Sequence, residues 1–168
     1  KFYNDQIEIV KEVNRLLKFP NDPLKSLKEL INHNLDLQKK IDKLNKEKAG
    51  SVMQELLNEI EVVNGLNFLA KKIDLEHTAV KDLAFELKNK VKNLFLVIGS
   101  EFNGKALLTV MLSSELVKEK NLHAGKLVNE LAEEIGGKGG GQPFFATAGG
   151  ENVKGIEAAL NKAKKLIS

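Results

Sequence analysis

Between Gly136 and Gly141 the chain reads Gly-Gly-Lys-Gly-Gly-Gly, and this run restricts the fold more than any other segment. Glycine loses more backbone freedom on folding than any other residue. An ordered run of it is therefore kept only where the chain must take φ > 0 or where something approaches the bare backbone closely. The continuation, Gln142-Pro143-Phe144-Phe145-Ala146-Thr147-Ala148-Gly149-Gly150, is too apolar for a loose linker. Composition leaves two readings open, a binding loop and a merely tight loop. In the first, exposed N–H groups would take phosphate oxygens.

The N-terminal third is the opposite in character, since the first glycine is Gly50. Apolar residues at Ile7, Val10, Val13, Leu16 and Leu17 form a helical stripe, ended by Phe19-Pro20. Asp22-Pro23 then restarts a helix, because Asp caps well and Pro suits the first helical position. From Leu24 to Ala49 the apolar positions keep a narrow stripe through Leu27, Leu30, Ile31, Leu35, Leu37, Ile41 and Leu44. Such a helix is about 39 Å long, and the short turn before it favours an antiparallel hairpin whose helices cover one another. Gly50 is expected to break it, with a further turn or two from Ser51 to Ile60.

Composition changes after residue 60. Asn64-Gly65 signals a turn, and Leu66-Asn67-Phe68-Leu69-Ala70 a strand. A helix is predicted over 77–91, a strand covered on both faces at Leu94-Phe95-Leu96-Val97-Ile98, and a second strand over 106–112. Helices over 124–135 and 153–167 flank the glycine segment. The fold class expected is α/β (α+β): residues 1–60 a helical arm of two long helices, residues 61–168 a globular domain with helices over a small mixed sheet.

The 168 residues suffice for one domain plus an arm. Aromatic residues make up 5% of the chain with no Trp, so the core must be built from Leu, Ile and Val. The absence of Cys removes disulfides, thiolate nucleophiles and thiolate-bound zinc, and it fits a reducing, cytoplasmic setting. No apolar run is long enough for a membrane span, so no membrane partner is expected. Without an initiator Met, the chain is expected to be a piece of a longer polypeptide. Net charge is only +3, but residues 136–168 carry Lys138, Lys154, Lys162, Lys164 and Lys165 against Glu151 and Glu157.

Gly99-Ser100-Glu101-Phe102-Asn103-Gly104-Lys105-Ala106 imitates a phosphate-binding loop. Ala106 stands where a hydroxyl should meet magnesium, and the residues after it are β-like, so no helix N-terminus faces the phosphates. A turn between strands is expected instead. His33, His77 and His123 lie far apart, and no metal site or catalytic residue is predicted.

The string from Ala124 to Gly150, Ala-Gly-Lys-Leu-Val-Asn-Glu-Leu-Ala-Glu-Glu-Ile-Gly-Gly-Lys-Gly-Gly-Gly-Gln-Pro-Phe-Phe-Ala-Thr-Ala-Gly-Gly, resembles the glycine-motif region (DHHA1-type) that closes alanyl-tRNA synthetases. A similar domain closes DHH-family phosphoesterases and exonucleases, where it helps to bind substrate; the helical arm favours the synthetases. The resemblance implies a C-terminal domain that holds the elbow of alanine tRNA and contributes to a homodimer. ATP, magnesium and zinc belong to upstream domains of the parent ligase, and no cofactor to this chain. The alternatives are a phosphoesterase substrate-binding domain and a purely structural oligomerisation module. Residues expected to contact nucleic acid are Lys126, Lys138 and Gln142, with His123 beside them and the backbone of Gly139, Gly140 and Gly141. Many members carry Arg at position 142, and more polar residues in place of Phe144-Phe145.

Overall fold

The computed structural model describes residues 2–18 and 21–167. The expected helix stop at Phe19-Pro20 lies outside the described residues. The chain divides into two compact units, Lys1–Leu44 and Asn45–Ser168. The expected boundary at residue 60 falls earlier because Met53 and Leu56 are buried in the core of the second unit.

Two helices make the first unit, α1 (Phe2–Leu16) and the leading part of α2 (Pro23–Asn58). Pro23 opens α2 as expected, and Asp22 Oδ1 accepts from the Lys25 N–H at 3.0 Å. Gly50 does not break the helix. One helical glycine costs about 1 kcal/mol relative to Ala, and the burial of Met53 and Leu56 just beyond it outweighs that. The expected mutual cover of the apolar stripes is not made: Leu16 is 70% exposed, Leu30 53%, and Leu27, Ile31 and Ile41 are exposed as well.

The second unit is built on a six-stranded sheet. Its strands are β1 (Glu61–Val63), β2 (Leu66–Lys72), β3 (Leu94–Phe102), β4 (Lys105–Leu112), β5 (Gly137–Gly141) and β6 (Phe145–Gly150). They lie in the order β1-β2-β3-β4-β6-β5. Only β2 and β3 run parallel, joined by the crossover helix α3 (His77–Lys90). Asn64-Gly65 and Asn103-Gly104 each place both residues at positive φ, the geometry of a two-residue hairpin turn. The phosphate-loop imitation is therefore the β3–β4 hairpin, and its Lys105 opens a strand. β1 escaped the sequence reading because three residues with Val62 exposed carry no alternation.

Side-chain alternation divides the core between the two faces of the sheet. Phe95, Val97, Leu108 and Val110 pack against α5 (Ala124–Ala132) and α6 (Ile156–Lys165). Leu94, Leu96, Ile98 and Met111 pack against α3 and the end of α2. The continuous apolar run of β3 is thus covered on both faces, as expected. α4 (Ser114–Glu119) and a 3-10 turn, Val153–Gly155, complete the unit.

The glycine segment is neither kind of loop that composition left open. Gly137–Gly141 is a strand at the sheet edge, paired antiparallel with β6 from Gly137↔Gly150 to Gly141↔Ala146. A Cβ on Gly137 would stand 1.9 Å from the Gly149 carbonyl oxygen; one on Gly139, 2.4 Å from Ala148 Cβ and 2.5 Å from the Thr147 oxygen. Close backbone approach explains these glycines, and the approaching group is the protein's own neighbouring strand. Gly139→Ala is expected to destabilise the domain by about 1–3 kcal/mol, because backbone and not a flexible side chain must give way. Gly140→Ala, which meets nothing within 4 Å, should stay within about 0.5 kcal/mol of the parent. Urea midpoints of the two variants check the contrast.

Candidate nucleic-acid interface

Helix α5 runs along β5 and is fastened to it at three points. The Ala124 N–H donates to the Pro143 carbonyl at 2.7 Å, which ties the helix start to the β5–β6 turn. Gly125 comes so close that a Cβ there would be 3.1 Å from the Gly141 oxygen. Farther along, the Gly139 N–H donates to Asn129 Oδ1 at 3.0 Å. An unpaired strand edge invites foreign strands, and here a helix covers it. The Gly139 amide is accordingly engaged within the protein.

The strand register sorts the remaining candidates. Lys138 faces the same side as its partner Gly149, and Gly140 the same side as Thr147, with Leu107 of β4 opposite Gly149. These five residues lie on the sheet face away from α5. Lys138, Gly140 and Gly149 are exposed, Thr147 and Leu107 half-buried. Gly139 and Gly141 alternate to the other face with Ala146 and Ala148, beneath α5. Lys126 is exposed on α5, in the helical layer of that other face, and Gln142 is exposed in the turn, its N–H given to the Phe145 carbonyl at 2.8 Å. The structure thus brings Lys138 and Gly140 together on one open surface and places Lys126, His123 and Gln142 around the start of α5.

Gly140 and Gly149 differ from the other glycines of the segment. A Cβ on Gly140 would meet nothing within 4 Å, and one on Gly149 only Leu107 Cδ2 at an ordinary 3.7 Å. Neither residue has a left-handed φ. The fold therefore does not require glycine at either position, yet both leave bare backbone on the open face. Thr147 and Gly149 were missed by the sequence reading; the alternation Phe145, Thr147, Gly149 against Ala146, Ala148, Gly150 is the signal that identifies them.

Phe144 and Phe145 are half-buried and pack onto the core. Phe85 of α3 lies 5.3 Å from the Phe145 ring and 6.4 Å, edge-on, from that of Phe144. Lys88 Nζ sits 4.4 Å over the Phe144 ring, a cation–π contact at the rim.

The C-terminal lysine excess is partly internal. Lys162 donates to the Glu130 carbonyl at 3.0 Å and pairs with Glu133 at 3.1 Å and Glu134 at 3.3 Å, fastening α6 to α5. The Glu133 hydrogen bond first, and that of Glu134 after it, raise the Lys162 pKa above the usual lysine value. Lys164 pairs with Glu61. Among the described residues, neither Lys126 nor Lys138 makes an ion pair. No group of three or more described His, Asp or Glu residues could hold a metal ion, and no described helix is long and apolar enough to cross a membrane.

His123 has a local task. It is the N-cap of α5, and its Nδ1 accepts from the Gly125 N–H at 3.1 Å. His123→Ala is expected to cost about 1 kcal/mol, the usual loss for an N-cap, and His123→Asn to restore most of it. Thermal or urea denaturation of the two variants checks this.

With this geometry in hand, comparison with known proteins is specific. The family model described as the DHHA1 domain matches residues 65–168. The alanine–tRNA ligase of Christiangramia forsetii is 46% identical over 99% of this chain and 19% of its own length. That of Cytophaga hutchinsonii is 37% identical over the same shares. The chain spans about a fifth of the length of the curated relatives it matches. The crystal structure of the C-Ala domain from Aquifex aeolicus alanyl-tRNA synthetase superposes with a TM-score of 0.60 at 22% identity, covering 66% of this chain and 98% of that one, which shows the common fold. The chain belongs to the DHHA1 domain family, and along nearly all its length it is a homologue of alanine–tRNA ligases.

Proposed function

We propose that this chain is a non-catalytic C-terminal domain of a cytoplasmic alanine–tRNA ligase and that the open face around Gly140 and Gly149 lies against the elbow of the tRNA. The observation that carries the reading is the pair of glycines the fold does not need. Glycine weakens a strand, so bare backbone on a solvent face is a cost unless a ligand lies flat upon it. Lys138, beside Gly149 and without an ion pair among the described residues, supplies a charge for phosphate. Arg15 is the only arginine in the chain, so bidentate reading of guanine has little support, and shape and backbone contacts carry the recognition. Alanine activation and editing, with their ATP, magnesium and zinc, belong to other parts of the parent enzyme.

The first unit supports a second element of the proposal, self-association. A single chain leaves Leu27, Leu30, Ile31, Leu37 and Ile41 exposed along α2, a stripe that a second copy of the helix would cover. Sedimentation of the purified chain should show a dimer, and Leu30→Lys with Ile41→Lys should return it to monomer without loss of helicity.

Titration of folded tRNA at several salt concentrations tests the binding role. Lys138→Ala should weaken binding to every tRNA and lower the salt slope by about one. Gly140→Val should abolish most binding while the urea midpoint stays at or above the parent value, since a β-branched residue suits an exposed strand position. If Gly140→Val binds as the parent does, the open face is not the interface. A preference for short single strands over structured tRNA would favour the phosphoesterase-type alternative.

A further inference from the structure

The phosphate-loop imitation is left unexplained once it proves to be a hairpin, and the sheet register gives its residues a different place. In the β3–β4 ladder Phe102 is opposite Lys105, and Ser100 is opposite Leu107. Leu107 is in turn opposite Gly149, and Gly149 opposite Lys138. All three ladders are regular, so alternation carries the face of Gly149 and Lys138 directly to Phe102 and Lys105 at the hairpin tip. Lys105 and Lys138 stand on strands separated by one other, so their backbones are about 10 Å apart across the sheet.

Phe102 is 46% exposed. The tip is fixed by Asn103 and Gly104, both at positive φ, and so does not depend on that ring for its shape. Between Phe102 and Lys138 the strip contains Lys105, Leu107, Thr147, Gly149 and Gly140, and no carboxylate. Glu101 alternates to the opposite face, where with Asp74 and Glu157 it lines a separate opening of about 680 Å³. Lys72 lines that opening with these acids, and Lys48 pairs with Asp74 at 2.6 Å, so the carboxylates there are met by lysines of their own side. Among the described residues Lys105, like Lys138, makes no ion pair.

Bare backbone at Gly140 and Gly149, two lysines without an ion pair among the described residues and an exposed ring are complementary to a polyanion with planar groups. We infer that the RNA surface extends from the glycine strand to the tip of the β3–β4 hairpin, where Phe102 stacks on an RNA base and Lys105 meets a phosphate. The inference rests on the binding role proposed above and adds two contact residues to it. Lys105 then serves as a point charge on an open sheet face, which needs neither the hydroxyl nor the helix N-terminus that a nucleotide loop requires.

The test titrates folded tRNA against the parent chain, Phe102→Ala, Phe102→Tyr, Lys105→Ala and Gly140→Val at several salt concentrations. Phe102→Ala should bind about tenfold more weakly with an unchanged salt slope, and Phe102→Tyr should bind as the parent does, because stacking needs an aromatic face. Lys105→Ala should lower the salt slope by about one. Urea midpoints should stay level for the hairpin variants, since neither side chain is buried. If Gly140→Val loses binding while Phe102→Ala and Lys105→Ala match the parent, the hairpin is not part of the interface, although the glycine face is. If Gly140→Val binds normally as well, the binding face itself is misplaced and the inference falls with it.

Discussion

The closeness of β5 to β6 is the constraint on which the rest of this domain depends. With Gly137 and Gly139 free of Cβ atoms, the edge strand settles onto the backbone of Thr147–Gly150 at distances no side chain would permit. That approach lets α5 lie along β5 and engage it through Asn129 and the bond from Ala124 to Pro143. α5 in turn brings Val128 and Leu131, and the turn after it Ile135, into the core shared with α6. Placing a side chain on the inner glycines would push the strand outwards and loosen the helix with it.

One glycine-rich segment therefore answers to two physical demands. On the inner face the missing side chains admit backbone from the same molecule, and the cost in conformational entropy is offset by packing. On the outer face Gly140 and Gly149 meet nothing that would clash. That asymmetry separates a structural requirement from a surface kept bare.

The charges follow the same division. Lys71 is held by Glu55 and Glu59, and these hydrogen bonds, with Glu55 the larger cause, raise its pKa. Lys162 ties α6 to α5. Exposed pairs of this kind contribute little to stability individually, but they remove those lysines from any count of charge available to a nucleic acid. What remains near the glycine face is Lys138, with Lys105 beyond it. A modest net charge of +3 is thus compatible with a local cationic strip, because many of the acids are paired with lysines elsewhere.

The sequence by itself determined the local elements whose physics is local. Asp22-Pro23 opened a helix, Asn64-Gly65 and Asn103-Gly104 made turns, and the unbroken apolar run at Leu94–Ile98 announced a strand covered on both sides. The motif from Ala124 to Gly150 led to the family. The tertiary structure decided what depends on partners distant in the chain. Gly50 stayed helical because Met53 and Leu56 found a core, which moved the boundary between the units back from residue 60 to Leu44. The glycine run became a strand because β6 was there to pair with it, a pairing that no glycine periodicity can announce, since glycine has no side chain to alternate. Only the register, set across four strands, could place Phe102 and Lys105 on the face of Gly140 and put Lys126 in the helical layer of the other face, because which side a residue faces is fixed by the ladder it joins.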